Sequence, residues 1–128
     1  DGEKRFDTVA HITYPCRYYI ANGRTDLLDM NKANEAFAEL FRFLITNGIA
    51  LECNTSGLHQ AIGRTLPDEK ILSLYRQLGG ELLTTGSDAH RTEHIGYRMK
   101  DTYRMLTSIG FRYVTVYENR VPEMKSIV

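Results

Sequence analysis

Asp88 and His90 are the two residues of this chain whose types and spacing point most directly to chemistry. They follow an apolar run at residues 82–84 that predicts a buried strand, and Gly86 lets the backbone turn closely around a bound group. Because alternate residues of an extended strand point to the same side, the carboxylate and the imidazole are aimed together. The spacing therefore predicts two metal ligands at the end of a strand.

Polar side chains also follow the other predicted strands. His11 lies at the end of the first strand, Glu52 and Asn54 at the end of the second, and residues 118–120 at the end of the fourth. Because functional residues of parallel α/β folds collect at the carboxyl ends of strands, these side chains predict one common site. Three residues are together of the types that hold zinc, iron or manganese: His11, Asp88 and His90.

Each ligand candidate also has a simpler interpretation when it is taken alone. His11 by itself is more typical of a hydrogen-bonded structural histidine, and Asp88 by itself of a helix N-cap. Cys16 and Cys53 offer thiolate ligands, but strand alternation turns Cys53 away from the side that Glu52 faces.

Two further groups of ring side chains fall in predicted loops. We expect His59 and His94 to be exposed to solvent. The tyrosines at positions 14, 18 and 19 either line a pocket or simply cover the end of the sheet.

Hydrophobic spacing predicts an alternation of strands and helices. Apolar residues at three-four intervals predict helices over 31–46, 67–78 and 99–109, and apolar runs predict strands over 6–12, 49–54, 81–85 and 111–117. A loop is expected over 13–23, and the tail, 118–128, is expected to be a short helix or a loose end. The alternation predicts parallel strands joined by helical crossovers, in a βα-barrel or a doubly wound sheet.

Length and charge limit the classes of function. At 128 residues the chain is most naturally one domain, and its 16 basic and 16 acidic residues leave no field to attract nucleic acid or an acidic membrane. No apolar run approaches the ~18 residues of a membrane span. The two cysteines form no disulfide framework, so we expect reduced thiols and a cytoplasmic protein.

Three motifs resemble the carboxyl-terminal half of the PHP-family histidinol-phosphatases. They are DTVAHI at residues 7–12, LECNTSGL at 51–58 and LTTGSDAH at 83–90. Ile95-Gly96-Tyr97 and residues 114–122 are similar to the end of that family as well. The resemblance runs over nearly the whole chain.

The resemblance implies a distorted (β/α)7–8 TIM-like barrel, the PHP fold, with up to three divalent ions at the carboxyl ends of its strands. It implies a metal-dependent hydrolase that converts histidinol phosphate to histidinol in histidine biosynthesis. Carried over by motif, the metal ligands are His11, Asp88 and His90. Asp88 would also be catalytic, because it orients or deprotonates the attacking water.

The resemblance also suggests substrate-binding residues. Arg17 is the phosphate candidate, because a guanidinium binds phosphate bidentately, although a surface arginine is the simpler interpretation. Glu52 and Asn54 would hydrogen-bond near the substrate. His59 stands where many relatives have arginine, which weakens a phosphate-binding role at that position.

The chain departs from the family pattern in one large respect. The family's amino-terminal His-x-His pair and its further His and Glu ligands have no counterpart upstream of His11, and three ligands do not build a trinuclear centre. Residues 1–128 are therefore predicted to be the carboxyl-terminal portion of a PHP domain. In isolation we expect one metal ion or none and little or no catalysis.

Two alternatives remain open at this point. Both are alternatives to the histidinol-phosphatase interpretation. One is a catalytically dead PHP-like binding or structural module, and the other is part of a PHP phosphoesterase that acts on nucleotides. Half a barrel also leaves two sheet edges open, which predicts self-association or coverage of the edges by the tail.

Overall fold

A small parallel sheet with helices packed against it forms the centre of the molecule, in a computed structural model that describes residues 5–24 and 30–128. The elements in chain order are β1 (Thr8–Val9), α1 (Cys16–Ala21), α2 (Met30–Asn47), β2 (Ala50–Asn54), α3 (Glu69–Gln77), β3 (Leu83–Gly86), α4 (Met99–Ser108), β4 (Tyr113–Glu118) and β5 (Val121–Ser126). Short 3-10 turns follow β2 at Ser56–His59 and β3 at Thr92–His94.

The parallel arrangement of the first three strands confirms the prediction from the sequence. The strand order is β1-β2-β3, with Val9 opposite Leu51 and Leu51 opposite Leu83. Because the strands are parallel, their carboxyl ends meet at one edge of the sheet.

One face of this sheet packs on the helices. Leu51, Cys53 and Leu83 are fully buried there. The same core contains side chains from α2 and α3, namely Phe41, Leu44, Ile71, Leu72 and Tyr75. The three-four spacing that predicted these two helices therefore marks the faces that the core buries.

The opposite face of the sheet is concave. Thr8 and Thr84 lie on strands that are not neighbours, yet their hydroxyl oxygens are 3.1 Å apart across the small side chain of Ala50. In a flat sheet such strands stand about 10 Å apart, so the sheet curls toward this face. The curvature is of the kind a barrel needs, but over residues 5–24 and 30–128 no barrel closes.

β4 does not join the parallel ladder, contrary to the sequence prediction. It pairs antiparallel with β5 in a separate two-stranded sheet. The hydroxyl of Thr115 on β4 accepts the backbone N–H of Leu83 at 3.1 Å, so a side chain takes the place of a ladder hydrogen bond.

The β4–β5 turn lies at the amino-terminal end of β1. The Tyr117 hydroxyl donates to the Asp7 carbonyl at 3.1 Å, and Arg120 Nε lies 3.0 Å from the Asp7 carboxylate. Residues 118–120 are therefore at the opposite end of β1 from His11. Their predicted place in the common polar cluster was wrong, because β4 contacts β3 without joining the parallel ladder and its end lies beside Asp7.

Two local predictions were also wrong. Residues 16–21, expected in a loop, form α1, and most of the tail, expected to be a helix or a loose end, forms β5. β5 covers one edge of β4, which belongs to the separate two-stranded sheet and not to the parallel one. β1 is shorter than predicted, because His11 takes a left-handed φ of 62° that ends the extended backbone.

The remaining expectations concern membranes and thiols. Within the described ranges, every helix is too short or too polar to cross a membrane. Cys16 and Cys53 are both free thiols, as expected.

Candidate active site

His11 lies between two carboxylates at the carboxyl ends of the parallel strands. Its Nδ1 is 3.6 Å from Oε2 of Glu52 on β2, and its Nε2 is 3.6 Å from Oδ2 of Asp88, which follows β3. Each of the three strands thus contributes one member of the cluster. The two carboxylate side chains are mostly sheltered, with 17% and 29% of their surface exposed.

Both residues of the His11–Asp88 contact have unusual backbone geometry. Asp88 has a φ of 49° and His11 a φ of 62°. A left-handed conformation costs a residue with a side chain roughly 1–2 kcal/mol. Such conformations cluster at functional sites, where the surrounding structure holds them in place.

His90 is oriented by the backbone of Asp88. Its Nδ1 lies 2.8 Å from the Asp88 carbonyl oxygen and 3.9 Å from that residue's Oδ1. A histidine that donates one ring N–H to a carbonyl presents its other nitrogen, here Nε2, to a metal ion. The ring is 85% exposed, so Nε2 is accessible from solvent.

Glu52 is held in place by a glycine and an amide. Gly86 is opposite Asn54 on the neighbouring strand, and a Cβ at residue 86 would meet Oε1 of Glu52 at 3.0 Å. The Asn54 side chain is 1% exposed; its Nδ2 donates to Glu52 Oε2 at 3.4 Å, and its Oδ1 accepts from the Ser56 N–H at 2.9 Å. Asn54 therefore contacts Glu52 rather than the open side of the site.

An aromatic group connects Arg17 to the cluster. The Tyr14 ring lies 5.3 Å from the His11 ring, and the Arg17 guanidinium stacks on Tyr14 at 3.8 Å. Arg17 also donates to the Tyr18 hydroxyl at 2.8 Å, which lowers the pKa of Tyr18. The hydrogen bond between Tyr14 and Tyr18 raises the pKa of Tyr14.

His59 and His94, expected to be exposed to solvent, are each only partly exposed. Their rings are stacked with centroids 3.7 Å apart, and the Tyr97 ring meets both edge-on. The 3-10 turns after β2 and β3 place these rings together. Among the described residues, no further His, Cys, Asp or Glu joins this pair to form a metal-binding group.

The cluster has suitable donor types for a metal ion, but the donors are arranged as pairs. Among the residues described, no three His, Cys, Asp or Glu side chains converge on one point as a metal-binding group. His11 and His90 both lie within 4 Å of the Asp88 carboxylate. Glu52, predicted to bind substrate, lies as near to His11 as Asp88 does.

The sequence alone gave little indication of two supporting contacts. The first is the contact of the Glu52 side chain with Gly86 across the β2–β3 ladder. Strand alternation could have predicted that these two residues lie on the same face of the sheet. Arg17 lies in α1, a helix that the sequence did not predict, and it stacks on Tyr14, which precedes that helix.

The fold and the cluster together define an α/β protein with carboxylates and imidazoles at the carboxyl ends of parallel strands. No protein-family model matches the chain. The chain is similar to a Thermotoga maritima protein named "Probable histidinol-phosphatase", with 36% identity over 121 residues, 94% of this chain and 48% of that protein.

A second relative has the same name. This Clostridium acetobutylicum "Probable histidinol-phosphatase" is 29% identical over 117 residues, which cover 90% of this chain and 44% of that protein. The chain thus spans about half the length of the curated relatives it matches.

Proposed function

We propose that this chain is the carboxyl-terminal part of a metal-dependent phosphomonoesterase that hydrolyses histidinol phosphate to histidinol. The observation that carries the proposal is the placement of His11 between the Glu52 and Asp88 carboxylates. The names of the two relatives support the phosphatase reaction and its substrate. Further ligands would come from sequence outside these residues, since the donors here form pairs.

The cluster residues have distinct roles in this proposal. His11, Asp88 and His90 hold divalent ions such as zinc, iron or manganese, up to three of them in the full-length enzyme. Ions bound in this way neutralise phosphate charge and make a bound water a better nucleophile. The two carboxylate oxygens of Asp88 face different partners, Oδ2 toward His11 and Oδ1 toward His90. One oxygen can therefore bind an ion while the other orients the attacking water or takes its proton.

The substrate contacts follow from the same geometry. Arg17, flat against Tyr14, presents a guanidinium edge that can bind two phosphate oxygens. Glu52 accepts hydrogen bonds from the amino group of the substrate. Asn54 acts through Glu52 as a positioning residue, because both polar atoms of its side chain are already bonded within the chain.

A substrate assay on the full-length protein tests the proposal. We expect hydrolysis of L-histidinol phosphate well above that of a panel of other phosphomonoesters, loss of activity with a chelator, and recovery on adding back Zn²⁺ or Mn²⁺. Asp88→Asn and His90→Ala should lower kcat by at least about a hundredfold, the size expected for general-base or ligand loss.

Glu81→Gln is the matched control for the carboxylate change. Glu81 lies just before β3, at the opposite end of the strand from Asp88, and 73% of its side chain is exposed. The control should keep full activity. Equal hydrolysis of all phosphomonoesters would refute histidinol phosphate as the substrate, and chelator-resistant activity would refute metal dependence.

A binding or structural module without catalysis is the second candidate. It is favoured by the absence, over the described residues, of three ligands that converge on one point. The full-length protein would then fold normally, retain no stoichiometric metal on elemental analysis and hydrolyse neither histidinol phosphate nor nucleotides. Preferential hydrolysis of nucleotides would instead identify the nucleotide-directed phosphoesterase.

We also propose that the isolated chain self-associates. β1 has a single strand neighbour among the described elements, and every residue of β5 is exposed, so both are open edges. Light scattering of the 128-residue chain should give a mass above that of the monomer. A monomeric mass throughout the accessible concentration range would exclude this.

A further inference from the structure

A cluster of three rings joins the loops that leave β2 and β3. His59 ends the 3-10 turn after β2, and His94 ends the 3-10 turn after β3. Their rings stack with centroids 3.7 Å apart and an interplanar angle of 17°, and the Tyr97 ring lies edge-on to the His59 ring at 5.3 Å. The stack therefore connects two loops that belong to different strands.

The two loops begin side by side and meet again at these rings. At their start, the Thr55 N–H donates to the Gly86 carbonyl at 2.8 Å, which holds the ends of β2 and β3 together. Farther along both loops, the rings of His59 and His94 form a second attachment. Two separate attachments fix the direction of a loop, whereas a single one leaves it free to rotate.

The loop after β3 carries Asp88 and His90. The Gly96 N–H donates to the Ser87 hydroxyl at 3.2 Å, so residues 87–96 form one closed unit. Asp88 has a φ of 49°, a conformation that the surrounding structure must hold in place. The His90 ring is 85% exposed and contacts the Asp88 carbonyl, so its direction depends on where the loop lies.

The His59 ring is held by packing. Its Nε2 is buried, yet that nitrogen has no hydrogen-bond partner in the part of the chain that the structure describes. Stacked and edge-on ring pairs stabilise a fold beyond the apolar area that they bury. A ring without the nitrogen should therefore serve equally well at this position, which distinguishes the stack from an acid–base role.

We propose that the His59–His94 stack is a positioning contact for the loop at residues 87–96. By fixing this loop, the stack sets where Asp88 and His90 stand in the active site. Both stacked histidines act through the loop and not on the substrate, so they are positioning residues. This inference rests on the proposed function, because the two side chains that the loop carries are metal ligands in that proposal.

Backbone hydrogen exchange at residues 87–96, measured on the full-length protein, tests the stack without using activity. His59→Ala removes one of the stacked rings, so exchange in this loop should be about tenfold faster or more. His94→Ala should have the same effect, and the double variant should add nothing, because both changes remove one contact. His59→Phe keeps a stacked ring and should exchange like the native protein.

Metal binding and kinetics connect the stack to the site. In His59→Ala, the Kd for Mn²⁺ titrated into the metal-free protein should rise about tenfold, as for other contacts that orient a ligand from behind. We expect kcat to fall by a similar factor, while KM changes by less than about twofold. KM is spared because Arg17, the proposed phosphate contact, lies on α1 and not on this loop. His59→Phe should restore both Kd and kcat.

Glu93→Ala is the matched control in the same turn as His94. Glu93 is exposed, so its loss should change neither the exchange of the loop, nor the Kd for Mn²⁺, nor kcat. If His59→Ala fails to fold, His94→Ala on the exposed loop gives the same test.

Three results would overturn the inference. They are native exchange in His59→Ala, faster exchange with unchanged Kd and kcat, and losses in His59→Phe as large as those in His59→Ala. Failure of the native full-length protein to bind Mn²⁺ and hydrolyse histidinol phosphate would refute the proposed function instead. Hydrogen exchange would then still decide whether the stack holds the loop.

Discussion

Gly86 and Glu52 are in contact across the β2–β3 ladder, and the contact exists because residue 86 has no side chain. A Cβ there would meet Oε1 of Glu52 at 3.0 Å, closer than carbon and oxygen normally approach. Asn54 lies on the other side of the same carboxylate. Gly86 and Asn54 thus set the direction of the acid beside His11 from its two sides.

Gly86→Ala should impair the site without unfolding the protein. The methyl group pushes the Glu52 carboxylate, which is the end of a flexible side chain, so the cost in stability should be under about 1 kcal/mol. Misplacement by a few tenths of an ångström or more should lower kcat/KM of the full-length protein about tenfold or more. Steady-state kinetics and thermal unfolding separate the two effects.

A double-mutant cycle shows whether the effect passes through Glu52. In a Glu52→Ala background, Gly86→Ala should cause no further loss of kcat/KM, because the displaced group is already gone. An additive loss in the double variant would mean that Gly86 acts by another route.

Asn54→Ala should destabilise the fold directly. The change removes the acceptor of the Ser56 N–H and leaves that buried donor unpaired, which costs about 1–3 kcal/mol. Urea unfolding followed by circular dichroism measures the loss. Asn47→Ala removes an exposed amide that bonds its own helix at Phe43, and it should change stability by under about 0.5 kcal/mol. Similar losses in both variants would contradict a special role for the buried amide.

Stability should fall as the pH rises above about 8.5, the ordinary pKa of a cysteine thiol. Burial raises the pKa of Cys53 to about 12 and that of Tyr75 to about 12. Between the ordinary and the raised values only the unfolded chain ionises, so the unfolded state binds fewer protons and is favoured. Each group adds at most about 1.4 kcal/mol per pH unit to the slope.

Cys53→Ala and Tyr75→Phe assign that slope. Below pH 8.5 both groups are protonated in both states, so neither variant should alter the pH dependence there. Above it, Cys53→Ala should flatten the first part of the decline, and Tyr75→Phe the part above about pH 10, the ordinary pKa of tyrosine. Urea unfolding across this range is the measurement, and a slope unaffected by either variant would contradict the assignment.

Asp68→Ala should weaken the start of α3. Oδ1 of Asp68 accepts the Ile71 N–H at 3.1 Å, so it is the helix N-cap, and loss of such a cap costs about 1 kcal/mol. Asp68→Asn keeps the cap acceptor and gives up the ion pair with Arg64, so it should cost less. If urea unfolding gave equal losses for both, the ion pair rather than the cap would be the stabilising contact.

The sequence predicted the parts of this fold that depend on local pattern. The apolar spacing over 31–46 and 67–78 identified α2 and α3, and the apolar run at 49–54 identified β2. It did not predict α1, because this helix has only six residues and exposes both of its tyrosines, so it has no apolar stripe that a pattern could detect. The antiparallel β4–β5 pair was also missed, because strand pairing depends on contacts far apart in the sequence, such as Thr115 with Leu83.

The sequence by itself determined which residue types stand at the carboxyl ends of β2 and β3, since these follow recognisable strands and a close turn. It placed His11, Asp88 and His90 in one candidate site. Only the tertiary structure decided that His11 lies between Glu52 and Asp88, and that residues 118–120 lie at the other end of the sheet. The reason is physical: spacing along a strand fixes which face a side chain takes, whereas sheet curvature and strand crossing fix which faces meet.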